Sequence, residues 1–296
     1  MHSIRPDLIE LGAFIRSRRE LLTPERAGLP GTRRRRTPGL RREEVSDLAG
    51  ISPHWYTRIE SGTGAVPSVA TLHAIARALQ LSAVETDYIF ELSGLATPKS
   101  ACLAPKCGTI AIENLVMALD VNEVAAFVAD AFASPRCWND TADAIFRWST
   151  CRDSFERNCI VGCLTDPYYR ECFGDDFEDA TRALVGMFRR AYTTSEPTSL
   201  ARRVYDFACT VPLFQAIWNE HTVSEHYAPP GTIRRYVPEV GPLELDFVDF
   251  QPVPHQGLFL RVLTPHDHTT RHRFLALATR GVASRFLEDE DDDFVS

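Results

Sequence analysis

No stretch of this 296-residue sequence approaches the roughly 18 uninterrupted apolar residues that a membrane helix needs. The N-terminus also lacks the apolar segment of a secretory leader. A membrane partner is therefore excluded, and a cytoplasmic location is expected. Eight cysteines are present, at positions 102, 107, 137, 151, 159, 163, 172 and 209, and none forms a Cys-x-x-Cys pair. In a reducing compartment such scattered thiols read as small buried apolar side chains or free thiols, not as a disulfide framework. Missing too are a Gly-rich phosphate loop, a Gly-x-Ser-x-Gly elbow and a His-Glu-x-x-His pair. The commonest enzyme signatures are thus absent, no cofactor is expected, and the chain reads as a non-enzyme.

The first ninety residues contain no lysine, yet thirteen arginines stand there against ten acids. From Glu91 onward nineteen basic residues face thirty acidic ones, with six consecutive acids from Glu288 to Asp293. The net charge of −8 therefore hides a basic front and an acidic rear. Such a split points to a nucleic-acid partner at the front alone. The length and the 44% hydrophobic content suit two domains. We expect a head at 1–96, a linker at 97–110, a larger domain at 111–287 and an acidic tail at 288–296.

Leu8, Leu11, Ile15 and Leu22 recur at helical spacing with Arg16, Arg18 and Arg19 between them, which predicts an amphipathic first helix. A loop then runs into Arg33, Arg34, Arg35 and Arg36, followed by Thr37-Pro38-Gly39, where Thr37 is placed to cap the next helix. That helix is expected over Leu40–Ala49 and ends at Gly50. Ser52-Pro53 starts another immediately, with serine as N-cap and proline at the first helical position. Two short helices joined by so brief a glycine-containing turn form a helix-turn-helix. Two further apolar stripes, Val69 to Leu79 and Val84 to Leu92, complete a five-helix, all-α head.

In this motif the second helix enters the major groove and its first residues meet base edges. Trp55, Tyr56 and Ile59 are expected to face inward, leaving Pro53, His54, Thr57 and Arg58 as readers. Arg58 can hold a guanine through two nitrogens and Thr57 can touch a thymine methyl. Arg33 to Arg36, Thr37, Arg41, Arg42 and the Ser52 hydroxyl suit phosphates, which fix register without reading sequence. The run Arg42-Glu43-Glu44-Val45-Ser46-Asp47-Leu48-Ala49-Gly50-Ile51-Ser52, with Tyr56 and Ile59-Glu60-Ser61-Gly62, resembles the XRE/Cro-type helix-turn-helix. Many of its members carry glutamine where Arg42 stands here. The resemblance implies double-stranded DNA as partner and a homodimer on paired half-sites.

Behind the linker the periodicities predict helices at 112–119, 140–146, 178–192, 200–209, 212–221 and 270–286. A strand pair interrupted near Asp130, a strand end at Arg136 to Trp138, and strands at 232–237, 243–247 and 258–262 complete the pattern. This is an α+β unit, with an antiparallel sheet expected to be covered by helices on one side. Trp138-Asn139, Arg157-Asn158, Asp166-Pro167, Pro212-Leu213-Phe214, Trp218, His221 and Val240 to Leu245 occur in the order found in the MmyB-like ligand-binding domain. The segment Arg35 to Val45 is similar to the same family. That resemblance implies a PAS-like fold and a small apolar or amphipathic ligand, a fatty acid among the candidates. Trp138, Phe146, Tyr169, Phe188, Phe214 and Trp218 are the expected cavity aromatics, with Asn139 and Asn158 beside them in the family pattern. Arg157 or His221 is placed to meet a carboxylate.

Two alternatives arise from side-chain clusters. His266, Asp267, His268 and His272, or His221 with His226, offer metal-ligand types. Cys159 and Cys163, four residues apart, offer a redox pair if a thiol is acidified. An enzyme with an appended DNA-binding head is a third, weaker reading.

Overall fold

The computed structural model describes residues 7–29, 39–95, 107–119, 124–224, 232–251 and 257–278. The chain divides into two units. One comprises Met1–Pro98 with Arg189–Glu196 and Trp218–Glu225, the other Lys99–Phe188, Pro197–Ile217 and His226–Ser296.

In the first unit five helices follow the expected order: α1 Leu8–Leu21, α2 Arg42–Ala49, α3 Pro53–Glu60, α4 Val69–Ala78 and α5 Ala83–Leu92. Asp7, Ser52, Ser68 and Ser82 each accept the backbone N–H three residues on, so four of the five helices begin on a side-chain cap. Thr37 lies outside the described residues, and α2 starts instead with the Arg41 N–H donating to the Glu44 carboxylate at 2.7 Å. Phe14, Ile15, Val45, Tyr56, Leu72 and Ile75 are wholly buried in one core. The buried apolar positions recur three and four apart along the helices, whereas Ile9, Leu21, Leu48 and Val69 are exposed.

The second unit opens with α6 Cys107–Ala118, β1 Ala125–Asp130, β2 Pro135–Trp138 and α7 Asp140–Phe146. Three short helices follow, α8 Ser154–Arg157, α9 Cys159–Thr165 and α10 Pro167–Phe173, none of which the periodicity had marked. Then come α11 Phe177–Thr194, α12 Ser199–Ala208, α13 Pro212–Asn219, β3 Thr232–Val237, β4 Gly241–Phe250, β5 Leu258–Pro265 and α14 His268–Ala278. The last residues of α11 and α13 group with the first unit.

All five strands pair antiparallel in the order β2-β1-β5-β4-β3. The buried Asp130 carboxylate makes the β1–β2 turn by accepting the Phe132 and Ser134 N–H groups, both at 2.9 Å. Successive strand residues point to opposite faces. Ala129 faces Phe259 and Phe127 faces Arg261 across the β1–β5 ladder, so these four share one sheet face. Ala126, Val128 and Leu260 point the other way, and Val116 of α6 is buried among them. The sheet therefore carries helix on both faces, contrary to the one-sided covering expected. That explains why every residue of β1 is buried: a strand packed on both sides has no polar alternation to display.

Candidate DNA-binding face and ligand cavity

Gly50 adopts φ 65° and ψ 33°, the left-handed conformation that ends α2 without the penalty a Cβ would bring. Two residues later Ser52 accepts the Trp55 N–H at 3.1 Å and Pro53 occupies the first position of α3. The turn thus sets α3 against α2. Tyr56 and Ile59 are buried and Trp55 is half-buried against the same core, as their spacing predicted. Ser52, Pro53, His54 and Arg58 are exposed and Thr57 is partly so. The Thr57 hydroxyl donates back to the Pro53 carbonyl at 2.8 Å. Arg58 donates once, to the Thr63 carbonyl at 3.2 Å.

α3 is held from beneath by charge. The Glu60 side chain is fully buried. It receives Arg19 Nε at 2.8 Å, Arg19 Nη2 at 3.0 Å and Arg42 Nε at 2.9 Å. Burial alone would raise the Glu60 pKa, but the two guanidinium groups outweigh it and hold the carboxyl below its usual range. Arg19 also donates to the Leu40 carbonyl, which ties the entry of α2 to α1. Arg42 keeps its side chain half exposed while donating to Glu60. Close approach of α1 and α3 depends on Gly12, where an added Cβ would lie 2.5 Å from the Glu60 carbonyl oxygen.

On the sheet face bearing Phe127 and Phe259, the second unit holds a small, partly open cavity of about 20 Å³. Phe127, Ala129 and Phe259 form its sheet wall, while Phe146, Trp148, Tyr169 and Phe173 come from the segment between β2 and α11. Leu184 and Met187 of α11 close it, with Ala133 and the Cys159 thiol at its edge. Trp148 stacks on Phe146 at 4.7 Å and meets Phe127 edge-on at 5.0 Å. Its indole N–H donates to the Tyr169 hydroxyl at 3.1 Å. The lining is apolar and largely aromatic, as the walls of small-molecule sites commonly are.

A helix-turn-helix domain family matches residues 10–89. The MmyB-like transcription regulator ligand binding domain matches residues 111–277. The chain belongs to the MmyB-like family of transcription regulators. No curated protein matches it. An all-α DNA-binding head followed by an α+β ligand-binding domain is the make-up of a ligand-responsive transcription regulator.

Within this MmyB-like regulator, the residues singled out in the sequence fall in different places. Arg33, Arg34, Arg35 and Arg36, like Thr37, lie outside the described residues. Arg41 is exposed at the start of α2. Of the ligand candidates, Phe146 and Tyr169 line the cavity. Trp138 lies one layer back, packed on Trp148 at 5.5 Å. Asn139 and Asn158 are wholly buried and hydrogen-bonded within the fold, Asn158 also to the Ser134 hydroxyl at 2.8 Å. Asn139 accepts from Ala126 and Ala142 N–H, and Asn158 donates to the Phe132 carbonyl and accepts from Ile160 N–H. Phe188 packs on Phe132 and Phe214 on Tyr205, both away from the cavity lining. Arg157 is half-buried, and its Nε has no hydrogen-bond partner among the described residues.

Trp218 and His221 belong to the first unit. There the Arg189 guanidinium lies 3.9 Å over the Trp218 ring and pairs with Glu10, while His221 Nδ1 is 3.5 Å from Glu10 Oε1. Sequence reasoning missed Phe127, Trp148 and Phe259. Trp148 could have been found from the aromatic pair it makes with Phe146 two residues earlier; the two strand phenylalanines become cavity wall only through the β1–β5 register.

The metal and redox alternatives meet the same geometry. Among the described residues no group of three or more His, Cys, Asp or Glu is placed to hold a metal ion. His266 Nδ1 instead sits 3.0 Å from both Asp246 oxygens. Burial pushes the Cys159 thiol far above its ordinary range and the Cys163 thiol up to about 12, the reverse of what an acidified redox thiol needs.

Proposed function

We propose that this protein binds double-stranded DNA sequence-specifically through the outward face of α3, as a cytoplasmic homodimer without enzymatic activity. The observation that carries this is the split of α3: Tyr56, Ile59 and Glu60 are buried, while Pro53, His54 and Arg58 are presented to solvent. With its hydroxyl turned back to Pro53, Thr57 offers its methyl outward, suited to a thymine methyl. Arg58 supplies a guanidinium for guanine. Ser52 uses its oxygen as the cap and keeps its hydrogen for a phosphate. Arg33 to Arg36, Thr37, Arg41 and Arg42 supply the remaining phosphate contacts. A single head covers little DNA, and paired half-sites multiply its affinity, which argues for a dimer.

The ligand in this reading is small and apolar or fatty-acid-like, and it lies in the cavity beneath Phe127 and Phe259. The free space holds no more than a water-sized group, so ligand entry requires side chains such as Met187 and Phe173 to swing aside. Arg157, two residues before Cys159, is the group that meets a carboxylate. Ligand and DNA act on one equilibrium: a ligand that prefers one dimer arrangement shifts DNA affinity, and DNA shifts ligand affinity by the same factor.

Selection of bound duplexes from a random pool tests the DNA reading. A recovered consensus with two half-sites, bound by a dimer in sedimentation, is the expected result. Recovery of no preferred sequence, with the fold intact by circular dichroism, would refute it.

A further inference from the structure

We propose that α11 carries the state of the cavity to the DNA-binding head, through the ion pairs that its C-terminal end makes with α1 and α5; this rests on the cavity being the ligand site. The helix runs unbroken over Phe177–Thr194, and its side chains serve both units. Leu184 and Met187 line the cavity of the second unit. Residues Arg189–Glu196, with Trp218–Glu225 from the end of α13 onward, fold with the head, although both segments lie inside the match to the ligand-binding domain. The head unit is therefore completed by two pieces of the ligand-binding domain.

Charge fastens those pieces. The Arg189 side chain is 1% exposed, and its guanidinium pairs with the Glu10 carboxylate of α1 while donating to the Trp218 carbonyl and stacking on the Trp218 ring at 3.9 Å. Tyr88 of α5 joins the same network, its hydroxyl 3.1 Å from Glu10 Oε1 and 2.9 Å from Thr193 Oγ1. Arg190 grips Glu91 of α5 with two nitrogens, at 2.9 and 2.5 Å. Arg18 of α1 adds a bond to the His221 carbonyl at 2.5 Å. Glu10 and Glu91 thus take their guanidinium partners from α11, and Arg189 is too buried for water to replace Glu10.

Met187 and Arg189 stand two residues apart on one hydrogen-bonded helix, so the wall side chain and the buried guanidinium do not shift independently. The free space is about 20 Å³, and an occupant larger than water must displace wall side chains, those of α11 among them. Packed interiors answer such a displacement by switching between discrete arrangements. Glu10 lies two residues before Gly12, where α1 meets the backbone of α3. A change at the Arg189–Glu10 pair therefore reaches the helix that carries Arg58.

The test uses the full chain with toluene supplied through the vapour phase, an apolar aromatic probe matched to this lining. Binding is read by quenching of tryptophan emission, Trp148 being in the wall, and the response of the head by hydrogen exchange in peptides covering α1 and α5. In the unaltered protein toluene is expected to change the opening of both peptides about fivefold or more, the low end of coupling between sites. Glu10→Gln removes the buried pair, and the milder Arg190→Gln removes only the more exposed one and keeps the head folded. Both variants are expected to bind toluene within about twofold of the unaltered protein while losing about half or more of the exchange response. Toluene bound without a change in either peptide, or an undiminished change in either variant, would overturn the inference while leaving the cavity in place. Failure of toluene to bind the unaltered protein would instead remove the cavity reading, and this inference with it.

Discussion

Replacing Glu60 with glutamine removes the buried carboxylate beneath α3 and leaves Arg19 with the half-exposed Glu20, at 3.2 Å, as its remaining ion-pair partner among the described residues. The Glu60 side chain is inaccessible and that of Arg19 is 10% exposed, so water cannot take over their pairing. Breaking a buried ion pair by removing one partner costs about 3–5 kcal/mol, because the surviving charge stays desolvated. Arg42 is half exposed and rehydrates, so it adds little. Against a total of roughly 5–13 kcal/mol for a head of this size, Glu60→Gln is expected to consume a large share of its stability.

Hydrogen exchange of the full chain in graded urea, followed in peptides covering α1 and α3, measures the loss directly. The effect must also depend on pH. A carboxyl whose folded pKa is depressed stabilises above its unfolded pKa, and that contribution disappears as pH falls through the folded value. The gap between the parent protein and Glu60→Gln is therefore expected to be full at pH 6 to 8 and to shrink below about pH 4. A loss under about 1 kcal/mol at neutral pH, the range of exposed pairs, or a gap independent of pH, would refute the reasoning.

Three further outcomes follow from the same geometry. Gly12→Ala gains helix propensity in α1 yet drives a methyl into the Glu60 carbonyl; the α1 and α3 peptides are expected to lose about 1–3 kcal/mol in the same exchange assay. Cys159 and Cys163, whose thiols burial holds protonated, are expected to resist iodoacetamide at pH 7.5 until the fold is opened by urea, as read by mass spectrometry; rapid native labelling would revive the redox alternative. Arg34→Ala is expected to weaken binding to every duplex alike and to lower the slope of log affinity against log salt by about one, measured by fluorescence anisotropy.

How much of this was legible in the sequence depended on range. The junction of α2 and α3 is written locally: Gly50, Ser52 and Pro53 each carry a conformational preference of their own, and the structure uses all three as expected. The helices α8, α9 and α10 run for only four to seven residues, over which a 3.6-residue period is weak, although α7 shows one at the same length. Their caps, Asp153, Asn158 and Asp166 with Pro167 behind it, were the available signal. The cavity was less legible than either. Phe146 and Tyr169 stood out as aromatics on helical stripes, but so did Phe188, Phe214 and Trp218, and a stripe does not say which core it faces. Phe127 and Phe259 become neighbours through a strand pairing across more than 120 residues of chain. Glu60 belongs to the same class. Its position at the end of a helix-turn-helix was readable, whereas its burial between Arg19 and Arg42 comes from the packing of α1 on α3.

The claim that most of the account depends on is that α3 reads bases. Anisotropy titrations of the parent protein and Arg58→Ala, on the selected duplex and on single-base variants of it, test this most directly. The expected result is a loss of about 1–3 kcal/mol in discrimination at one base pair of each half-site, with the salt slope and the affinity for scrambled DNA unchanged. If Arg58→Ala instead keeps the full base preference, or lowers affinity for matched and scrambled duplexes by the same factor, α3 does not read sequence through this residue and the interface lies elsewhere.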